Sequence, residues 1–262
     1  MRLLVLGCAG SFPGPGSAAS SYLVQAEDAD GRTWSALLDL GNGALGALQR
    51  WGDPAALDVV ALSHLHADHV ADMAVLGVYR RYHPGGALPR VAVHGPEGTR
   101  ERLGHMSGDD LAAHTGEQFD VRVWRAGEQV VVGPLTLEAV PVDHPVPAFG
   151  IRVTGPSEGD PTRRVTLAYS GDTDASPGLE DLATAADLLL AEAAFVEGRD
   201  DHVRGIHLTG RRAGEAAARG GARSLVLTHV PAWNDPAVAL AEARAVYDGP
   251  VTLASPGTTY PL

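Results

Sequence analysis

Cysteine is almost missing: Cys8 stands alone among 262 residues, so no internal disulfide can form and a reducing compartment suits the chain. Long apolar runs are missing too, none approaching the roughly eighteen residues that a membrane helix needs. Val5-Leu6-Gly7-Cys8 superficially resembles a lipoprotein cleavage site, yet only one arginine and a very short apolar stretch precede it, too little for a signal peptide. The expected location is therefore the cytoplasm. Lysine is absent, and 20 arginines face 32 acidic residues for a net charge of −12. That balance disfavours a surface built to neutralise many phosphates of a long nucleic acid. A small anionic substrate held by metal ions is compatible with it, and so is acidity that serves only solubility.

Histidine, by contrast, is concentrated. Three of the eleven histidines fall in Ser63-His64-Leu65-His66-Ala67-Asp68-His69, directly after the apolar run Val59-Val60-Ala61-Leu62. Neutral imidazole is the commonest protein ligand of transition metals, and carboxylate oxygen is a normal companion on zinc. If Asp58 to Ser63 is a buried strand and a helix starts near Asp68, His64 and His66 lie in extended chain and project to one side, where they can share an ion. Asp68, in an N-cap-like place, and His69 would then point at a neighbouring position. One loop could serve two ions.

The rest of the chain reads as alternating strands and helices, expected to form one domain over residues 1–262. Strands are predicted at Arg2 to Gly7, Ser21 to Gln25, Trp34 to Leu40 and Val91 to His94. Helices are predicted from Gly43 to Trp51, Asp68 to Tyr82 and Pro96 to Leu103. Phe119 to Trp124, Val130 to Val132 and Leu135 to Val140 suggest an antiparallel group continued by Phe149 to Thr154 and Val165 to Ser170. Strands Leu188 to Ala191, Leu225 to Thr228 and Val251 to Leu253 then alternate with helices from Thr209 to Arg219 and Pro236 to Tyr247. Strand-rich segments in both halves fit an α/β fold with a two-sheet core covered by helices better than one continuous parallel sheet.

A two-ion site needs more donors than one loop supplies. His144 sits in the rigid turn Val142-Asp143-His144-Pro145, while Asp172 and His229 each follow an apolar strand. The resulting set is His64, His66 and His144 around one ion, Asp68, His69 and His229 around the other, and Asp172 bridging. Glu192 ends Leu188-Leu189-Leu190-Ala191, and His207 precedes a helix start. A carboxylate that orients an imidazole makes a competent proton donor, but a solvated strand end and a capping histidine fit these two positions equally. His83, His94, His105, His114 and His202 lack comparable placement and read as surface or core residues. Trp233 could stack on a purine or pack at a sheet edge, and Arg80 and Arg81 could meet a phosphate or lie on a solvated helix face; in each case the second use is preferred.

In these residues the chain resembles the metallo-β-lactamase superfamily and, within it, the ribonuclease Z-like branch. Ser63 to His69 matches the signature loop. The His144 turn with Phe149-Gly150-Ile151-Arg152, Ser170-Gly171-Asp172-Thr173, Glu192-Ala193-Ala194-Phe195, His207-Leu208-Thr209 and Leu227-Thr228-His229 resemble the branch's later motifs in order, so the resemblance spans nearly the whole chain. It implies a four-layer αβ/βα sandwich with a dinuclear site between the sheets. Ribonuclease Z proper, which trims tRNA 3′ ends, usually carries a long arm between the third histidine motif and the bridging aspartate. Here that interval is 172 − 144 = 28 positions, filled mostly by strands.

Without the arm, the chain looks most similar to compact actinobacterial members described as cyclic-nucleotide phosphodiesterases, through segments such as Arg80-Arg81-Tyr82-His83-Pro84 and Leu227-Thr228-His229-Val230-Pro231-Ala232-Trp233. The implied reaction is hydrolysis of a small phosphodiester such as cAMP by a hydroxide bridging two ions about 3.5 to 4 Å apart. Asp68 would orient the hydroxide, and His207, steadied by Glu192, would protonate the leaving oxygen. Zinc suits the donor set, with manganese and iron also compatible. A homodimer is a modest expectation. Rival readings are tRNA 3′-end cleavage without the arm, hydrolysis of a lactone, thioester or β-lactam at the same type of site, and a non-enzymatic metal-binding role.

Overall fold

The computed structural model of the chain describes residues 1–107 and 116–262. Two sheets lie face to face. The first contains Arg2–Ala9 (β1), Ser21–Glu27 (β3), Thr33–Leu38 (β4), Val59–Ala61 (β5), Val91–Gly95 (β6), Phe119–Val123 (β7) and Thr259–Pro261 (β15), in the order β15-β1-β3-β4-β5-β6-β7, with Ala18–Ala19 (β2) beside β1. The second contains Gln129–Val132 (β8), Leu135–Pro141 (β9), Phe149–Pro156 (β10), Arg164–Tyr169 (β11), Leu188–Glu192 (β12), Leu225–Thr228 (β13) and Val251–Leu253 (β14), in the order β14-β13-β12-β11-β10-β9-β8. Each sheet is parallel on one flank and antiparallel on the other.

The period-2 alternation of the strands builds four layers. Leu3 and Val5 of β1 join Leu167, Tyr169, Leu188 and Leu190 in the core between the sheets. Leu4 and Leu6 turn outward, onto Leu45 and Leu48 of helix Ala44–Trp51 and Met73 and Leu76 of helix Met73–Arg81. On the far side, Leu189 and Leu227 pack under helices Pro177–Ala183, Gly210–Gly220 and Pro236–Arg244. Burying such a Leu or Val contributes about 1.5–3 kcal/mol, which pins strand register because a one-residue slip would turn each row to the wrong layer. No helix among the described residues is long and apolar enough to cross a membrane.

Several expectations change. Phe119–Val123 does not join the antiparallel group; it pairs in parallel with β6, Val91 facing Phe119, and closes the first sheet. Alternation reveals a half-buried strand but not its partner. The helix expected from Asp68 to Tyr82 is broken into Ala67–Val70 and Met73–Arg81. The cause is visible in the backbone: Leu40 N–H donates to His69 O at 2.8 Å and Leu40 O accepts from Asp72 N–H at 3.1 Å, taking groups that a continuous helix would pair internally. The helix expected from Pro96 spans Thr99–Ser107, and helix Pro177–Ala183 and strand Thr259–Pro261 were not anticipated. His114 lies outside the described residues.

Candidate metal centre

The candidate residues sit at strand ends on one rim of the sandwich. Val59–Ala61 leads into Ser63 to His69, Leu135–Pro141 into His144, Arg164–Tyr169 into Asp172, and Leu225–Thr228 into His229, while Glu192 closes Leu188–Glu192. Strand ends are rigid platforms, and ligands in open α/β sheets bind just beyond them. Asp68 lies inside the first turn of Ala67–Val70, whose N-cap is His66, so Asp68 is not the cap that the sequence suggested.

The donors converge in two groups. In the outer one, His64 Nε2 is 3.1 Å from His66 Nδ1, which is 3.2 Å from His144 Nε2; Asp172 Oδ2 is 3.6 Å from His64 Nε2. In the inner one, His69 Nε2 is 3.2 Å from Asp172 Oδ1 and 3.5 Å from Asp68 Oδ2, and His229 Nε2 is 3.2 Å from Asp172 Oδ2 and 3.7 Å from Asp68 Oδ2. Donors about 2.1 Å from a tetrahedral cation stand about 3.4 Å apart, so these separations fit a shared ion. Asp172 belongs to both groups.

Bonds behind the donors aim them. His69 Nδ1 donates to Asp39 Oδ2 at 2.8 Å, His144 Nδ1 to Ile206 O at 2.8 Å, and His229 Nδ1 lies 2.8 Å from Ser20 Oγ. Each bond fixes the ring and leaves Nε2 to face the cluster. Among the described residues, buried His69 Nε2, His229 Nε2 and Asp172 Oδ1 find no hydrogen-bond partner, an arrangement that costs about 1–3 kcal/mol per group unless something else binds them. A cation would.

Electrostatics point the same way. Burial pushes His64 well below the ordinary imidazole range and lowers His66, His144 and His229 as well, favouring neutral rings with free lone pairs. Burial also opposes charge on Asp172, but His229, His69 and His64 hold it well below the usual carboxylate range. Among the described residues, the ion pairs of Asp68 and Asp172 are with imidazoles only. His69 is raised, against its burial, by the Asp172 and Asp39 carboxylates, so this pocket draws positive charge. The chemistry and geometry of the donors fit a bound divalent metal.

His207 stands beside this cluster. Its Nδ1 donates to Glu192 Oε1 at 2.8 Å and lies 3.9 Å from Asp172 Oδ2. Burial works against its charged form, but Glu192 outweighs burial and raises the imidazole to about 9. Glu192 is fully buried and also accepts from the backbone N–H groups of Thr173 and Ala194, so it is no solvated strand end. All nine sequence-derived site residues thus come together.

Other residues were missed. Asp39, buried with φ +57°, accepts from Ser63 N, Ser63 Oγ and Tyr169 Oη as well as His69, and so links the two sheets. Its signal, an aspartate ending an apolar strand, is the one that marked Asp172. Asp174 is a second. It accepts from Arg204 Nε at 2.7 Å, Gly205 N at 2.8 Å and Arg212 Nη1 at 3.2 Å, tethering the loop that carries Ile206 and His207. Arg80 proves buried, bonded to Pro54 O and Pro89 O, and Arg81 pairs with Glu117 at 3.7 Å, so Arg80 is not on a solvated face. Trp233 is 66 % exposed against the expected packed position. His94 is a core residue against Trp124.

Known proteins resemble this chain in sequence and fold. The profile of the β-lactamase superfamily domain matches residues 36–230. An uncharacterized protein of Mycobacterium leprae is 42% identical over 268 residues, covering 100% of this chain and 89% of that one. Ribonuclease Z of Myxococcus xanthus is 29% identical over 281 residues, covering 86% and 88%. The crystal structure of YhfI from Bacillus subtilis, a metallo-β-lactamase fold protein, superimposes with a TM-score of 0.82 at 27% identity, covering 99% of this chain and 98% of that one.

Proposed function

This chain belongs to the β-lactamase superfamily as a metallo-β-lactamase-fold hydrolase, and we propose that it cleaves small phosphodiesters, cyclic nucleotides such as cAMP foremost. His64, His66 and His144 would hold one divalent cation, Asp68, His69 and His229 a second, and Asp172 both. When bound, the two ions, zinc by preference, would lower the pKa of a water and offset charge on the phosphoryl group.

The chain's own residues do the rest. Asp68, in the first turn of its short helix, would accept a hydrogen bond from the attacking water. His207 supplies the proton to the departing ribose oxygen from Nε2, because Nδ1–H is engaged by Glu192. Its raised pKa keeps that proton in place at neutral pH. This Glu192–His207 pair beside Asp172 is the observation that carries the reading, since an alkoxide leaving group gains most from a positioned acid. Small size of substrate is supported by the interval after His144: Phe149–Pro156 and Arg164–Tyr169 form a plain hairpin, with no protruding arm.

The test is a panel of bis(p-nitrophenyl) phosphate, 3′,5′- and 2′,3′-cyclic nucleotides and pre-tRNA, assayed with zinc or manganese and with chelator. Metal-dependent cleavage of cyclic nucleotides is expected. Cleavage of pre-tRNA alone would favour tRNA processing, consistent with the Myxococcus relative's name. Inactivity toward every substrate with metal restored would end the phosphodiesterase reading.

A further inference from the structure

Two exposed aromatic rings stand on the two loops that pack around His229. Trp233 is 66 % exposed and Phe12 36 %, and their centroids are 4.7 Å apart at 43°. They come from two loops zipped together along the chain that leaves His229. Ala9 bridges Val230, and Gly10 N donates to Val230 O at 3.3 Å. A Cβ on Gly10 would fall 2.2 Å from His229 O and 2.9 Å from His229 Cδ2, the ring carbon bonded to the donor Nε2. Only glycine permits that approach. Phe12, two residues on, is tied back by its N–H to Gly10 O at 2.7 Å, and Trp233 follows His229 by four positions.

The Trp233 turn is fastened as well. Asn234 N donates to Pro231 O at 2.9 Å, Asn234 Nδ2 to Ala194 O at 2.8 Å, and Arg199 Nη1 to Asn234 Oδ1 at 2.9 Å. A solvent-facing indole on a fastened turn four residues after a donor has a large π-face to offer. We propose that Phe12 and Trp233 form a platform at the mouth of the centre on which the base of a nucleotide substrate stacks. This rests on the phosphodiesterase reading and adds where the base goes. Stacking uses ring faces and no hydrogen-bond code, so it tolerates every base and favours purines for their area.

The experiment compares Trp233→Ala and Trp233→Phe with the unaltered, metal-loaded protein on 3′,5′-cyclic AMP, 3′,5′-cyclic UMP and a methyl riboside 3′,5′-cyclic phosphate that has no base. Binding of a slowly hydrolysed phosphorothioate analogue of cyclic AMP is measured by calorimetry alongside. Trp233→Ala should lower the kcat/KM ratio of cyclic AMP to the base-free ester by about 5- to 150-fold, mainly through KM, and weaken the analogue to match. Trp233→Phe should restore most of both. An unaltered protein that cleaves the base-free ester as well as cyclic AMP overturns the platform and spares the phosphodiesterase reading, as does a ratio unmoved by Trp233→Ala. A shift of Trp233→Ala to a smaller assembly with the ratio intact makes the pair an interface and overturns it too. If no phosphodiester is cleaved, both fall together.

Discussion

The two donor groups are built differently. Asp68, His69, Asp172 and His229 are all buried, and their imidazoles are braced by Asp39 and Ser20, side chains themselves buried. In the outer group His66 is exposed and His144 half-buried, the latter held by a loop carbonyl. The inner position is therefore preorganised, whereas the outer one opens toward solvent. Affinity should differ accordingly, and the contrast can be tested by removing one donor at a time.

The largest effect should come from the donors. His69→Ala should cost the protein both equivalents of metal, because it also unseats Asp172, while His66→Ala should keep about one equivalent, read by elemental analysis. Both should lose activity; equal metal loss in the two would erase the distinction. Asp39→Asn attacks the inner group from behind and should weaken metal affinity by about 10- to 100-fold without removing a donor. Titration with a competing chelator would measure it, and an unchanged affinity would deny Asp39 its bracing role.

The mildest change concerns His207, the proposed proton donor. Glu192→Gln keeps shape but removes the charge that raises His207 to about 9. The imidazole should fall toward its ordinary value of about 6.5. An acid acts while protonated, so the alkaline limb of kcat should move down from about 9 toward that range. A limb that stays in place would assign the proton to another group.

Legibility in the sequence followed locality. His64 to His69 announces itself because its donors are neighbours along one loop, and apolar runs ending in His144, Asp172 and His229 could be joined to it because chemistry and strand position agree. Asp39 escaped because its partner His69 lies thirty positions away, and a strand-end aspartate before Gly41-Asn42-Gly43 reads as a turn. The helix break after Val70 escaped for a related reason: Leu40 competes for His69 and Asp72 backbone groups from outside the segment. Arg80 and Trp233 exchanged their expected places, one buried under two loop carbonyls and the other exposed, since a single residue's exposure depends on loops that periodicity does not describe.

Both donor groups draw on both sheets. His64, His66, Asp68 and His69 follow a strand of the first, and His144, Asp172 and His229 follow strands of the second. Any cation held there would be a rivet between layers that also meet through apolar packing and through bonds such as Tyr22 Oη to Thr228 Oγ1 at 2.6 Å. By mass action, each tenfold excess of free cation over its dissociation constant adds about 1.4 kcal/mol to the folded state. Cations bound there would thus act as a thermodynamic clasp, and metal supply would set how firmly the sandwich is closed.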